Sequence, residues 1–313
     1  MNGTIIGLVK PANEPVEMWN SWCDGLYGAM DLLGKEKNLV IYVFGYSDKP
    51  TTIERPNMTI FLRHDIKQLK YALSIHKPTI IFGWGTSFHD WAEIEDSTAK
   101  KILLFAGGPY DYENASRKFD HIVVENAWDQ NKFPNSTVAF GTNTEVFKPI
   151  EGYNKTIPSL YPASFAKWKR HSLWAESMPT GSLAVGQYQD HEKECYEVCR
   201  EFGHTTIPQV PMTLLPHFYN QSLGVCVTSE WFGGCQRAVL ESMACNVPVL
   251  STNDNKCGEF DGVWTVDPSA EELRQAFTQM VTTFVTSKFD LRSEFIVGKY
   301  DHYTYAKKLK EFI

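Results

Sequence analysis

Short β-branched or aromatic runs alternate with helical patterns along this chain, twice over with one irregular stretch between them. That alternation predicts parallel sheets covered by helices on both faces. In the first half, Thr4–Val9, Leu39–Phe44, Met58–Leu62, Thr79–Phe82, Ile102–Phe105, His121–Val124 and Thr137–Phe140 read as strands. Helical patterns lie near Val16–Leu33, Ile66–His76 and Asn126–Asn131. Pro149 to Pro162, rich in Pro, Gly, Asn and Thr, reads as a linker. The alternation then resumes with a helix near Trp168, strand Ser182–Gly186, helix Glu192–Phe202, strand Thr205–Ile207, helix Met212–Asn220 and strand Leu223–Thr228. Ser269 and Glu272 make a capping box that opens a helix to about Val285, and an amphipathic stretch runs from Tyr300 to Ile313. The expected division is an N-terminal domain over 1–148, a second domain over 149–298, and a C-terminal helix over 299–313 that packs back on the first.

At 313 residues the chain is long enough for two domains with their own cores. A net charge of −7 argues against a broadly basic nucleic-acid surface. His64, Lys67, Lys70, Lys77, Lys100 and Lys101 would be the basic face of a nucleic-acid acceptor, which is the less favoured reading. No apolar run reaches the length of a membrane span, and the N-terminal residues lack the features of a signal peptide, so a cytoplasmic protein is expected. The seven cysteines show no C-x-x-C spacing and no His partners at zinc-site spacing, which suits reduced thiols.

The densest chemistry lies between Glu230 and Asp254, EWFGGCQRAVLESMACNVPVLSTND. It reads as a glycine turn, a helix over Gln236–Cys245 and a short buried strand over Val247–Ser251. Gly233 and Gly234 let backbone approach a ligand, and the helix that follows Cys235 aims N–H groups and its positive dipole end at the same space. Glu241 sits beside the apolar side of that helix as an acceptor for sugar hydroxyls. Upstream, Lys167, Lys169 and Arg170 open a helix with concentrated positive charge, and Arg237 adds a further cation.

This segment resembles the C-terminal signature of the GT-B glycosyltransferases, in particular the large retaining family 4. Leu240-Glu241-Ser242-Met243-Ala244-Cys245-Asn246-Val247-Pro248-Val249 stands where that family has its LEAMACG-PV run. Gly141 to Pro149 is similar to the family's G-V-D-x-x-x-F-x-P segment, with Phe147 and Pro149 in place. The resemblance implies two doubly wound Rossmann-like α/β domains facing each other across a cleft that holds the active site. It also implies ribose binding by Glu241, and a diphosphate held by Lys169, with Lys167 or Arg170 in place of the family's arginine, since Ser164 occupies that position. Gly233 occupies the position of the first glutamate of the family's pair, for which Glu230 is the available substitute.

The implied activity is transfer of a sugar from a nucleotide-diphosphate sugar to a carbohydrate or other hydroxyl acceptor, with retention and without a resident cofactor. Stabilising the leaving diphosphate needs cations and helix N-termini, and the chain contains no D-x-D, so no metal is expected. Family members place a histidine after a central strand of the first domain. Here Ile102–Phe105 leads instead to Gly107, and His89, Asp90 and Asp111 are the polar alternatives for a catalytic role. Two other readings stay open. One is a degenerate protein that binds a sugar nucleotide or a partner without transfer, and the other is a sugar-nucleotide epimerase of the same architecture.

Overall fold

The computed structural model describes residues 5–11, 16–36, 38–44, 51–63, 66–84, 98–106, 118–133, 135–187, 192–231, 236–287 and 289–313. The chain divides into two compact units. The first comprises 1–21, 26–140 and 305–313; the second comprises 22–25 and 141–304.

The first unit is built on an eight-stranded sheet among the described residues: β1 (Ile5–Pro11), β2 (Asn38–Phe44), β3 (Thr51–Arg55), β4 (Met58–Arg63), β5 (Ile80–Trp84), β6 (Lys100–Phe105), β7 (His121–Val124) and β8 (Thr137–Val138). The spatial order is β3-β4-β2-β1-β5-β6-β7-β8, and every pairing is parallel except the β3–β4 hairpin. Ile81, Phe82, Ile102 and Leu103 are adjacent residues on neighbouring strands and all are fully buried, as expected of a parallel sheet covered on both faces. Edge strand β3 instead alternates half-buried and exposed residues. Sequence patterning missed β3 because Thr51–Arg55 carries no apolar alternation beyond Ile53.

The C-terminal residues of the chain belong to this unit. Lys308 donates to the Val138 carbonyl at 2.8 Å, Lys310 pairs with Glu36, and the Phe312 ring lies 4.5 Å from that of His121.

The second unit carries a six-stranded, wholly parallel sheet: β9 (Leu160–Pro162), β10 (Leu183–Gly186), β11 (Thr205–Pro208), β12 (Val225–Val227), β13 (Val249–Thr252) and β14 (Trp264–Val266), in the order β11-β10-β9-β12-β13-β14. The first three strands run outward from β9 in one direction and the last three in the other. The order therefore reverses between β9 and β12, the switch point beyond whose carboxyl ends doubly wound sheets bind ligands.

Strand β9 corrects the linker expected over 149–162. Leu160 and Tyr161 are fully buried at the centre of the sheet. The strand is only three residues long and ends in proline, so neither length nor composition marks it.

Tyr161, Phe165, Trp174, Cys199, Cys226, Leu250, Leu273 and Phe277 form the core on one face of this sheet. The 141–149 segment is anchored by Phe147, which is fully buried edge-on to Tyr219 with ring centres 6.0 Å apart. Burial of such a ring contributes about 2–3 kcal/mol. Arg292 ties the same segment down by donating to the carbonyls of Thr144, Phe147 and Ala244.

Candidate functional site

The helix Gln236–Ala244 leads into β13 and is buried on nearly every side, with Arg237 its exposed residue. It ends in a Schellman closure. Val247 N–H bonds to the Ser242 carbonyl at 3.0 Å, Asn246 N–H bonds to Met243 at 2.9 Å, and Asn246 is left-handed with φ 57°. Asn246 thus supplies the backbone geometry for which the family pattern has glycine. Its side chain also accepts from Leu291 N–H at 2.9 Å.

Glu241 lies on this helix with 3% of its surface exposed. The hydroxyl of Tyr219, itself fully buried, donates to Glu241 Oε2 at 2.9 Å. Arg237 Nε stands 3.8 Å from Glu241 Oε1, and Arg237 Nη1 bonds to Asp24 Oδ2 at 3.1 Å. Asp24 arrives from the 22–25 segment, where the backbone approach is close. A Cβ on Gly25 would fall 1.7 Å from the Gly141 carbonyl oxygen, so no other residue fits there. Burial pushes the Glu241 carboxyl up to about 7, against the opposing pull of Arg237 and the Tyr219 hydrogen bond and with a small further push from Asp24. Sequence reasoning found Glu241 and Arg237 but neither Tyr219 nor Asp24, which lie 22 and 213 residues from the groups they bond. Nothing in their local sequence marks them.

The basic segment 167–171 sits above the ends of β9 and β12. Its first three residues form a 3-10 turn and Arg170 is left-handed, with φ 49°. The Lys169 carbonyl accepts from Tyr161 Oη at 2.6 Å and Thr228 Oγ1 at 3.0 Å, while Glu230 N–H bonds to the Trp168 carbonyl at 2.8 Å. These bonds bring Lys167, Lys169 and Glu230 to the carboxyl edge of the sheet, in the same unit as Glu241. Lys169 is buried and Lys167 exposed. Beside them, β10 ends at Gly186, where a Cβ would lie 1.8 Å from the Ala163 carbonyl oxygen.

Arg170 is committed within the protein. Its guanidinium donates to the Thr228 carbonyl, the Ser229 carbonyl at 2.8 Å, Thr252 Oγ1 at 2.9 Å and both oxygens of Asp254 at 2.8 Å. Burial raises the Asp254 carboxyl, but the hydrogen bonds from Arg170 and Thr252 outweigh it and hold the group below the usual carboxylate range. The Asp254 side chain is 42% exposed, so the ion pair itself contributes little. The buried Thr228 carbonyl matters more, because stranding it costs about 1–3 kcal/mol, whereas the Ser229 carbonyl keeps a bond from Asn255 Nδ2 at 3.2 Å. Arg170→Ala is therefore expected to destabilise the protein by about 1–3 kcal/mol, and Arg170→Lys to recover little of it, since one ammonium cannot span these acceptors. A urea-unfolding midpoint that does not move in either variant would contradict this role.

His171 is 2% exposed and packed between Tyr161 and Phe165, with ring centres 5.0 and 5.2 Å away. Burial, with a smaller contribution from the Lys169 charge, depresses it to about 3. It is a neutral core residue at neutral pH.

The remaining candidates, His89, Asp90, Gly107, Asp111, Gly233, Gly234 and Cys235, lie outside the described residues. Among the described residues no cluster of three or more His, Cys, Asp or Glu side chains could hold a metal ion, and no helix is long and apolar enough to cross a membrane.

No family model matches the chain, and no curated protein matches it in sequence. Solved structures do. Sucrose-phosphate synthase from Thermosynechococcus elongatus superposes with a TM-score of 0.78 at 12% identity, over 99% of this chain and 98% of that one. A glycosyltransferase from Rickettsia africae ESF-5 gives 0.72 at 13% identity, over 100% and 98%. HepE of Anabaena, in complex with UDP and glucose, gives 0.70 at 14% identity, over 99% of each chain. Identities this low speak to architecture, and the architecture agrees with two doubly wound sheets of the observed strand orders. The chain has the GT-B fold of the glycosyltransferases.

Proposed function

We propose that the protein is a glycosyltransferase that takes its sugar from a nucleotide-diphosphate donor bound by the second unit. The observation that carries this reading is the placement of Glu241 and Lys169 in one doubly wound unit, Lys169 at the carboxyl edge of the sheet and Glu241 on the helix between β12 and β13. HepE, whose fold this chain shares, is a UDP- and UDP-glucose-binding protein, which makes a uridine donor the first to try.

In this reading Glu241 accepts hydrogen bonds from the ribose hydroxyls. Lys169 and Lys167 face the diphosphate, together with the first backbone N–H groups of the helix Gln236–Ala244. As the sugar departs, negative charge grows on the bridging oxygen and the β-phosphate, and fixed cations stabilise that charge without reorganising. Arg170 shapes the floor of the site and Arg237 serves Glu241, so neither belongs to the phosphate set. Transfer with retention and without a metal, to a hydroxyl acceptor, completes the proposal; the catalytic groups are sought among His89, Asp90, Gly107 and Asp111.

A thermal-shift series with UDP, GDP, ADP and their sugars tests it. One nucleotide diphosphate is expected to raise the melting temperature by several degrees at millimolar concentration. No shift with any of them would reject the donor site. Gly233 in the position of the first glutamate supports the alternative of binding without transfer. Release of free sugar from a radiolabelled donor, even slowly, separates the two.

A further inference from the structure

We infer that Tyr219 and the Asp24–Arg237 pair are positioning residues that present Glu241 to a ribose as an ion, so that binding of a nucleotide sugar expels a proton from the protein. The inference rests on the proposed donor site and adds to it a coupling between ligand and solvent pH.

The geometry divides the carboxylate into two halves. Oε2 is held by the Tyr219 hydroxyl at 2.9 Å. Oε1 has Arg237 Nε at 3.8 Å, close enough for ion pairing but beyond hydrogen-bond length. Arg237 cannot swing freely toward Oε1, because Asp24, buried and 3.1 Å away, holds its other end. Oε1 is thus stabilised by charge while its lone pairs face no donor at bonding distance from Arg237, an arrangement suited to a hydroxyl that comes later.

The same three groups set how readily the proton leaves. A carboxylate buried this deeply is costly as an ion, and burial places Glu241 near 7, where acid and carboxylate are close to balance. Arg237 and Tyr219 favour the ion, whereas Asp24 opposes it. The other titratable groups on elements packed against the helix are His217 on 215–221, Lys256, Cys257 and Glu259 on 256–259, and Arg292 and Glu294 on 292–296. None of these is among the groups that move Glu241.

Hydroxyl donors from a ribose diol bond the ion better than the acid. Binding therefore drives the carboxyl proton to solvent, and by reciprocity a higher pH tightens binding until Glu241 is fully ionised. Only the carboxyl O–H is broken, and the buffer takes the proton.

Calorimetry with UDP-glucose tests this, because its doubly esterified pyrophosphate has no proton to exchange near neutrality. Titrations at pH 6.5 in buffers of different ionisation enthalpy should report release of a fraction of a proton per ligand bound, falling toward zero as the pH is raised. The 2′,3′-dideoxy analogue should release none, a comparison that needs no variant. Asp24→Asn should move the release midpoint down, and Arg237→Gln and Tyr219→Phe should move it up, by about one pH unit. Opposite shifts from the two members of one ion pair cannot come from a general packing fault. Binding without proton release, equal release from the dideoxy analogue, or shifts all in one direction overturn the inference while leaving the donor site standing. Failure of the wild-type protein to bind UDP-glucose, UDP or GDP at any pH overturns the donor site and this inference with it.

Discussion

Glu241→Ala is expected to weaken nucleotide binding by at least 100-fold, the largest loss from any single change in the proposed site. Two hydroxyl bonds to an ionised acceptor contribute roughly 3–6 kcal/mol together, and alanine offers neither. Lys169→Ala removes one charge-assisted bond to phosphate, so its expected loss is smaller, about 10- to 100-fold. Isothermal titration with UDP and GDP reads both. Unchanged affinity in the two variants would refute the assignment. Folding must be followed in parallel, because alanine at 241 strands the Tyr219 hydroxyl in a fully buried position at a cost of about 1–3 kcal/mol. A melting curve that stays cooperative while binding is lost assigns the defect to the ligand rather than to the fold.

The second large effect is on stability, and it is hidden in the wild-type protein. Glu241 is raised by folding from 4.5 to about 7, so the native state holds its proton more tightly than the unfolded chain does. The associated stability is fully present below pH 4.5 and is lost as pH rises through 7. His171 is lowered by folding from 6.5 to about 3, so the native state resists protonation. Its stability is fully present above pH 6.5 and is lost as pH falls toward 3. Between pH 7 and pH 5 each amounts to about 2 kcal/mol, with opposite signs, and they nearly cancel.

Removing either group exposes the other. Relative to wild type, Glu241→Gln should lose about 2 kcal/mol on acidification from pH 7 to pH 5, and His171→Phe should gain a similar amount. Urea unfolding at the two pH values measures both differences directly. If neither variant departs from the wild-type pH dependence, the two groups do not titrate as their burial implies.

Much of the second unit was legible because its helix and strand signals are local. Gln236–Ala244 announces itself by a compact apolar pattern, and Ser269 caps the next long helix as expected, its hydroxyl accepting from Glu272 N–H at 3.3 Å. Strand β9 was not legible. Three residues that end in proline form the centre of the sheet only because β10 and β12 flank them. The site divides in the same way. Glu241 and Lys169 stand in motifs of consecutive residues, so their positions can be read one after another. Tyr219 and Asp24 acquire meaning only through a partner elsewhere in the fold. Arg170 is interchangeable with its lysine neighbours by sequence pattern, because the acceptors that distinguish it all lie more than fifty residues further along the chain.

Trp22–Gly25 belongs to the second unit although the residues on either side belong to the first. On the ribosome, Asp24 emerges 213 residues ahead of Arg237. A fragment spanning 141–304 therefore lacks the acidic end of the Glu241 frame, and the segment that fits against Gly141 as well. The complete carboxylate site cannot assemble until both ends of that 213-residue span are available, whatever the order in which the sheets form.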